Sequence, residues 1–432
     1  MNQIFNGFYK KTPQERLEIL HKLGWSNIRL DLSDETGLEE VQSIDDIQLP
    51  NLVADQMIEN YVFNYQLPLG VAVNFIVNDI PYSVPMVVEE PSVIAAASNG
   101  AKKVGNIKAK MIKRETIGQI VLPNVEKPKL IQEIISSNEQ ELMGIAKDAS
   151  ENMVKRGGGP RKIWTQIFEG EGGSFVTTYI SFDPCEAMGA NALNTVLENV
   201  APRIATLTEH EPLMSILSNY ATEAIVTAHC QIPIVSLDED AVLAEEIAHN
   251  IALASEYAQI DPYRAATHNK GIMNGIDAVL IATGNDWRAV EAGVHAYASR
   301  SGVYRGLSTW KIDHSTNELV GEIELPLQIA TVGGTISVHP TAQWALDLLH
   351  QPTANELAEI IASVGLAQNF VAVRALVTEG IQKGHMALQA RSLALQVGAD
   401  LTEINEVVKQ LRESGIMNST KAKEILSLLR GK

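Results

Sequence analysis

TIGQIVL (Thr116–Leu122), KLIQEIISSNEQELMGIAKDASENMV (Lys129–Val154), RKIWTQIF (Arg161–Phe168) and SFVTTYISF (Ser174–Phe182) decide the fold class of this chain. The first, third and fourth are rich in β-branched and aromatic residues and read as strands. The second spaces its apolar residues as a helix does, in two pieces. Glu169-Gly-Glu-Gly-Gly173 is a turn signal that folds the last two strands into a hairpin. Cys185–Thr208 then reads as helix and Ala224–Ile232 (AIVTAHCQI) as strand. The order βαββαβ predicts a ferredoxin-like split unit, a small domain inserted into a larger one. No GxGxxG follows a strand, so the usual dinucleotide fingerprint is missing and the insert is non-Rossmann. The fold class expected is α+β: a large, mostly helical α/β domain, the inserted unit, and a helical C-terminal part.

Upstream, Thr12-Pro-Gln-Glu15 is a capping box with proline at the first helical position. Gly70 to Glu90 reads as a hairpin turning at Asn78-Asp79 and returning through Val84–Val88. The return strand ends at Glu89-Glu90-Pro91-Ser92, where a helix opens. Acids at such a junction can simply complement the helix dipole. Downstream, Leu237–Tyr257 is an alanine-rich helix capped by Asp238 or Asp240. Asp261–Arg300 sets an arginine, a histidine, a lysine, asparagines and aspartates in short turns around an apolar segment, Gly271–Ala282. Polar groups ordered beside buried segments are where chemistry concentrates. Val303–Leu307 and Glu318–Leu327 read as strands, and the chain beyond Ala342 as almost wholly helical.

At 432 residues, with about 150 per domain, two or three domains are expected. The net charge of −18 argues against nucleic acid or an anionic membrane as a general partner, and any anionic ligand needs a local basic patch. The two cysteines, Cys185 and Cys230, make no disulfide framework and suit a reducing compartment. MNQIFNGFYKKT lacks an apolar targeting region, and no run of about 20 apolar residues is found. A soluble, cytoplasmic protein with no membrane partner is expected. No metal-ligand motif stands out.

Several residues carry two readings each. Glu186-Ala-Met-Gly-Ala-Asn191 is either a close-packed helix start or a set of free N–H groups suited to a pyrophosphate. Asp286 can merely cap a helix beginning at Trp287. Lys270 can be a solvated loop lysine, and His385 a surface or capping residue.

With these motifs in place, the chain resembles the 3-hydroxy-3-methylglutaryl-CoA reductase family in its soluble bacterial class II form, from about Pro13 to Arg430. The resemblance implies reduction of 3-hydroxy-3-methylglutaryl-CoA to mevalonate and CoA by two NAD(P)H. It implies four catalytic residues, Glu90, Lys270, Asp286 and His385, the last on a mobile C-terminal flap. It places Ser92, Arg264 and Asn274 on the substrate, and Glu186, Met188, Gly189, Asn191 and Asn219 at the cofactor. Glu186 stands where aspartate is commoner in the family. Ala330-Thr-Val-Gly-Gly-Thr335 matches a glycine-rich family motif, and Gln56-Met-Ile-Glu-Asn60 one associated with dimer contacts.

NAD-preferring relatives carry an aspartate where this chain has Ser150, and Lys147, Lys155 and Arg156 lie nearby. Loss of a carboxylate beside cations favours a ribose 2′-phosphate, hence NADPH, with NADH as the alternative. The implied division is 1–113 and 222–378 for the catalytic domain, 114–221 for the cofactor domain and 379–432 for the flap. The implied assembly is a homodimer with sites at the subunit interface, or a higher oligomer. Lys270 and Asp286 would lie more than roughly 20 Å apart on one straight helix. A bend, with Gly275 a candidate, or two subunits must therefore bring them together.

Overall fold

The computed structural model describes residues 5, 7–26, 28–29, 42–43, 47–378, 380 and 390–431. The capping box holds: the Glu15 amide donates to the Thr12 hydroxyl at 3.2 Å and the Thr12 amide to the Glu15 carboxylate at 2.7 Å, opening α1 (Pro13–Lys22). Two short pieces, β1 (Ile28–Arg29) and β2 (Gln42–Ser43), pair in parallel, and α2 (Asn51–Met57) follows.

A long hairpin comes next, β3 (Leu69–Val77) and β4 (Ile80–Val87). Its turn, Asn78-Asp79, is left-handed at both residues (φ 51° and 71°), as a two-residue hairpin turn with the right twist requires. After α3 (Val93–Val104) and β5 (Asn106–Met111) the chain leaves for a second sheet. That excursion contains β6 (Thr116–Val125), α4 (Pro128–Ser137), α5 (Glu139–Asp148), α6 (Glu151–Lys155), β7 (Gly159–Gly170), β8 (Gly173–Asp183), α7 (Ala190–Thr208) and β9 (Met214–Ser218). It returns through β10 (Ile225–Pro233), α8 (Ala241–Ile260), α9 (Pro262–Ala282), α10 (Trp287–Ala298), β11 (Ser308–Asp313), β12 (Glu318–Pro326), α11 (Pro340–Leu348) and α12 (Ala354–Val377). Helices 404–414 and 419–429 close the chain.

The larger sheet runs β11-β12-β10-β5-β3-β4. One core lies between it and α3, α8, α9 and α12, with Phe75, Met86, Trp310 and Phe370 fully buried. The smaller sheet runs β7-β8-β6-β9, antiparallel throughout, which is the strand order of the split βαββαβ unit. Its own core of Ile120, Phe182, Leu193 and Leu197 is covered by α4, α5 and α7. Val407, Leu411 and Ile425 anchor a third cluster in the C-terminal helices.

Four local expectations are corrected. The fourth strand of the small sheet is β9, not Ala224–Ile232, which lies within β10 of the large sheet. β9 is a five-residue edge strand whose Met214 and Ile216 face out, so it carries no buried period to read. The helix expected from Cys185 begins only at Ala190, because Cys185 and Gly189 take left-handed backbone (φ 52° and 89°) and build a turn. The strand expected at Val303–Leu307 forms instead at Ser308–Asp313; Arg305 and Gly306 donate their amides to the carbonyls of Ala298 and Ala258, away from any sheet. The turns expected before Gly271 are helix. Asp261 caps α9 through the amides of Tyr263 and Arg264, with Pro262 at the first position.

α12 is also longer and more apolar than the sequence reading allows for, and by length and composition it could cross a membrane. Of its most apolar window 67% is buried inside the protein, which marks it as the central core helix.

Candidate active site

Strand β4 delivers Glu90 and helix α9 delivers Lys270 to one place. Lys270 Nζ lies 2.9 Å from Glu90 Oε2, although the two residues are 180 apart in sequence. The pair is part-exposed, open to a ligand on one side. Ser92 follows as the N-cap of α3 with φ 81°. A left-handed non-glycine residue carries backbone strain, and such strain gathers at functional sites. On α9, Arg264, Lys270 and Asn274 fall within an arc of about 120° at 100° per residue. The register of one helix thus aims all three at the same side. Arg264 is half-buried; burial lowers its pKa, yet a guanidinium stays charged in a protein. Among the described residues no carboxylate pairs with it, so it is suited to an anion.

Asp286 sits at the other end. It caps α10, its Oδ1 accepting the Ala289 amide at 3.1 Å, with Arg288 3.7 Å away. The capping reading is therefore real, and it leaves Oδ2 for other work. α9 runs unbroken from Pro262 to Ala282, which puts about 18 Å of helix between Lys270 and its last residue. Gly275 makes no bend; it lets α9 pack on Val364 and Gln368 of α12. Within one chain Asp286 and Lys270 are not brought together. His385 lies outside the described residues.

The sequence reading missed Asp277, which continues the Lys270 side of α9. Its Oδ1 is buried with no donor among the described residues. Burial and the Glu291 carboxylate push it up to about 8, while His295, 2.6 Å from Glu291, holds Glu291 below the usual carboxylate range. The seven-residue step from Lys270 was the available signal, two turns along one face.

The third group is the turn from Pro184 to Asn191. Gly189 is its pivot: at φ 89° it opens α7, and a Cβ there would meet Pro184 Cβ at 2.6 Å. No side chain caps α7, leaving its first N–H groups for a phosphate. Asn191 is exposed and Met188 packs on the main core. Asn219 follows the end of β9, its carbonyl 2.7 Å from where a Cβ on Gly293 of α10 would stand. The Glu186 carboxylate is engaged within the protein, accepting the Ala354 amide at 2.6 Å and the Thr331 hydroxyl at 3.2 Å. Ser150 is 8% exposed and its hydroxyl donates to the Ala146 carbonyl at 2.8 Å. Lys147, Lys155 and Arg156 are exposed around it, with Lys155 paired to Glu151.

Asp286 is joined to this turn. The neighbouring Asn285 side chain donates to the Ala330 carbonyl at 3.1 Å and accepts its amide at 2.7 Å. The Thr331 amide in turn donates to the Glu186 carbonyl at 2.9 Å. The site thus has two halves at opposite ends of α9: Glu90, Lys270, Arg264 and Asn274 at one, Asp286 and the Glu186–Asn191 turn at the other.

The hydroxymethylglutaryl-coenzyme A reductase family profile matches residues 13–390. A 3-hydroxy-3-methylglutaryl-coenzyme A reductase of Archaeoglobus fulgidus is 40% identical over 433 residues, covering 100% of this chain and 95% of that protein. A probable reductase of the same name from Borreliella burgdorferi is 37% identical, covering 78% of this chain and 77% of that protein. A Streptococcus pneumoniae reductase structure superposes with TM-score 0.81 at 48% identity, covering 98% of this chain and 99% of that one. A class II enzyme from the same organism, bound to NADPH in open conformations, gives TM-score 0.80 at 50% identity over 87% of this chain and 100% of that one. The chain belongs to the hydroxymethylglutaryl-coenzyme A reductase family and has its class II fold.

Proposed function

We propose that this protein reduces 3-hydroxy-3-methylglutaryl-CoA to mevalonate and CoA with two equivalents of NADPH, at sites shared between the subunits of a homodimer. The observation that carries the reading is the Glu90–Lys270 ion pair, held at 2.9 Å beside Arg264 and Asn274. Arg264 holds the substrate carboxylate, and Asn274 and Ser92 orient the hydroxymethylglutaryl group. Lys270 stabilises negative charge growing on the carbonyl oxygen, first of the thioester and then of the aldehyde. Glu90 gives its proton to the aldehyde oxygen. His385 protonates the departing CoA thiolate. Bound NADPH supplies the hydride in each step. Its phosphates suit the uncapped start of α7, with Met188, Gly189, Asn191 and Asn219 around it. The exposed cations Lys147 and Arg156 suit a 2′-phosphate.

Asp286 of a second copy sits beside the pair, its carboxylate countering the Lys270 ammonium. The unbroken α9 supports that arrangement: one chain presents Glu90 and Lys270, and the other presents Asp286 with its cofactor turn. An apolar surface supports a second copy as well. Val62, Phe63 and Tyr65 beside the Gln56–Asn60 motif, and Tyr263 at the start of α9, are each more than 70% exposed, unusual for large apolar side chains with no partner. Residues 114–221 act as the cofactor domain, 1–113 and 222–378 as the catalytic domain, and 379–432 as a flap bringing His385. A reducing cytoplasm suits the free cysteines Cys185 and Cys230. The test is stoichiometric: NADPH absorbance falls by two equivalents per thioester, with mevalonate and free thiol as products. A fall of one equivalent, or none, contradicts the reading.

A further inference from the structure

Arg114 lies on the strap between the two sheets, after β5 ends at Met111 and before β6 begins at Thr116. Its guanidinium makes no ion pair among the described residues. It donates instead to three carbonyls: Cys185 at 2.6 Å, Ala187 at 3.2 Å and Ile329 at 2.9 Å. The first two bracket Glu186 in the turn that opens α7; the third belongs to the segment following β12. Charge-assisted bonds of this kind are among the stronger ones, and a fork of fixed N–H donors is what one side chain needs to grip three acceptors. On the other side of the turn, the Glu186 carboxylate holds the first amide of α12 and the Thr331 hydroxyl. Thr331 follows Ala330, which Asn285 holds beside Asp286.

We propose that Arg114 and Glu186 are positioning residues that clamp the Glu186–Asn191 turn to the large domain from two sides, fixing the bound nicotinamide cofactor relative to Asp286. The clamp rests on the reading that this turn holds the cofactor, and it assigns the Glu186 carboxylate to the protein rather than to the cofactor. Neither residue touches a reacting atom. Their effect comes through the turn, where a displacement of about 1 Å can cost on the order of 10²-fold in rate.

Arg114→Lys keeps the charge but cannot reach three carbonyls at once. It is expected to raise the KM for NADPH and its directly titrated Kd about ten-fold, and to lower kcat by a similar factor, as misplacement predicts. The KM for 3-hydroxy-3-methylglutaryl-CoA should stay within about two-fold, because the Lys270 end of α9 is untouched. Thr331→Val removes one bond to Glu186 without burying a charge, so it carries the test on its own should Arg114→Lys fail to fold. It should shift the NADPH constants in the same direction by about two- to five-fold, the worth of one weak hydrogen bond. A purely structural role gives a lower Tm with unchanged NADPH constants in both folded variants, and that result overturns the clamp. Wild-type protein that binds no NADPH refutes the cofactor-site reading itself, a separate outcome visible before any variant is made.

Discussion

Helix α9 and the turn from Pro184 to Asn191 both present candidate functional groups, and they hold them by different means. On α9 the side chains are aimed by helical register. The opposite face is locked in the core, with Ile272, Met273 and Ile276 buried and His268 bonded to Ser308 and Asn369. The turn has no such register. It is held by left-handed backbone at Cys185 and Gly189 and by bonds from Arg114, Thr331 and Ala354. A substitution on the exposed face of α9 should therefore remove one group and leave the rest in place, whereas a substitution around the turn should move everything it carries.

The sharpest break in this comparison is Lys270→Ala. It removes the cation at the developing oxyanion, and losing one such group costs about 10² to 10³ in turnover. Substrate affinity and Tm should change little if α9 is the rigid scaffold described. Turnover above half of wild type would remove Lys270 from the chemistry. His385→Gln comes next, at about 10² on thioester reduction, the usual share of a positioned proton donor. Reduction of free mevaldehyde, which releases no thiolate, should be nearly unaffected. Equal losses in both reactions, with and without added CoA, would assign His385 another role.

Ser150→Asp sharpens the turn side. It places a carboxylate where the serine hydroxyl is buried on the Ala146 carbonyl, so Tm should fall by the cost of an unpaired buried acid. If the acid turns outward, the NADPH-to-NADH ratio of kcat/KM should fall about ten-fold, one good charge interaction's worth. A lower Tm with an unmoved ratio would make Ser150 a packing residue only. The smallest effect on turnover is expected at Asp277, whose readout is stability. Its folded value of about 8 lies above the ordinary 3.8. Between those values the folded state binds the extra proton, so stability falls as pH rises, by at most about 1.4 kcal/mol per pH unit. Asp277→Asn should flatten the Tm-pH profile, gaining on wild type at pH 8 and converging near pH 4. Parallel profiles would show that Asp277 ionises normally.

The same contrast explains what the sequence disclosed. Thr12–Glu15, the Asn78-Asp79 turn and the split-unit hairpin are local signals, and each stands where it was read. β9 was invisible because none of its five residues is buried and its partner, β6, is about 100 residues away. The residues placed at the site came from family motifs; the residues' own chemistry left Lys270 and Asp286 open between structural and catalytic readings. Arg114 could not be read at all, since its three partners are backbone carbonyls at Cys185, Ala187 and Ile329. No spacing announces such bonds. The turns expected around Lys270 were wrong for a related reason: its polar neighbours looked like loop residues until the helix showed them sharing one face.

The central claim is that Lys270 and Asp286 serve one site from two chains. Mixing Lys270→Ala subunits with Asp286→Asn subunits tests it directly. Each variant alone should be nearly inactive. In a mixed two-fold dimer one site carries both lesions and the other carries neither, so random exchange should restore about a quarter of wild-type activity. If both residues act within one chain, every site in the mixture keeps a lesion, and activity that never rises above that of the separate variants would contradict the account.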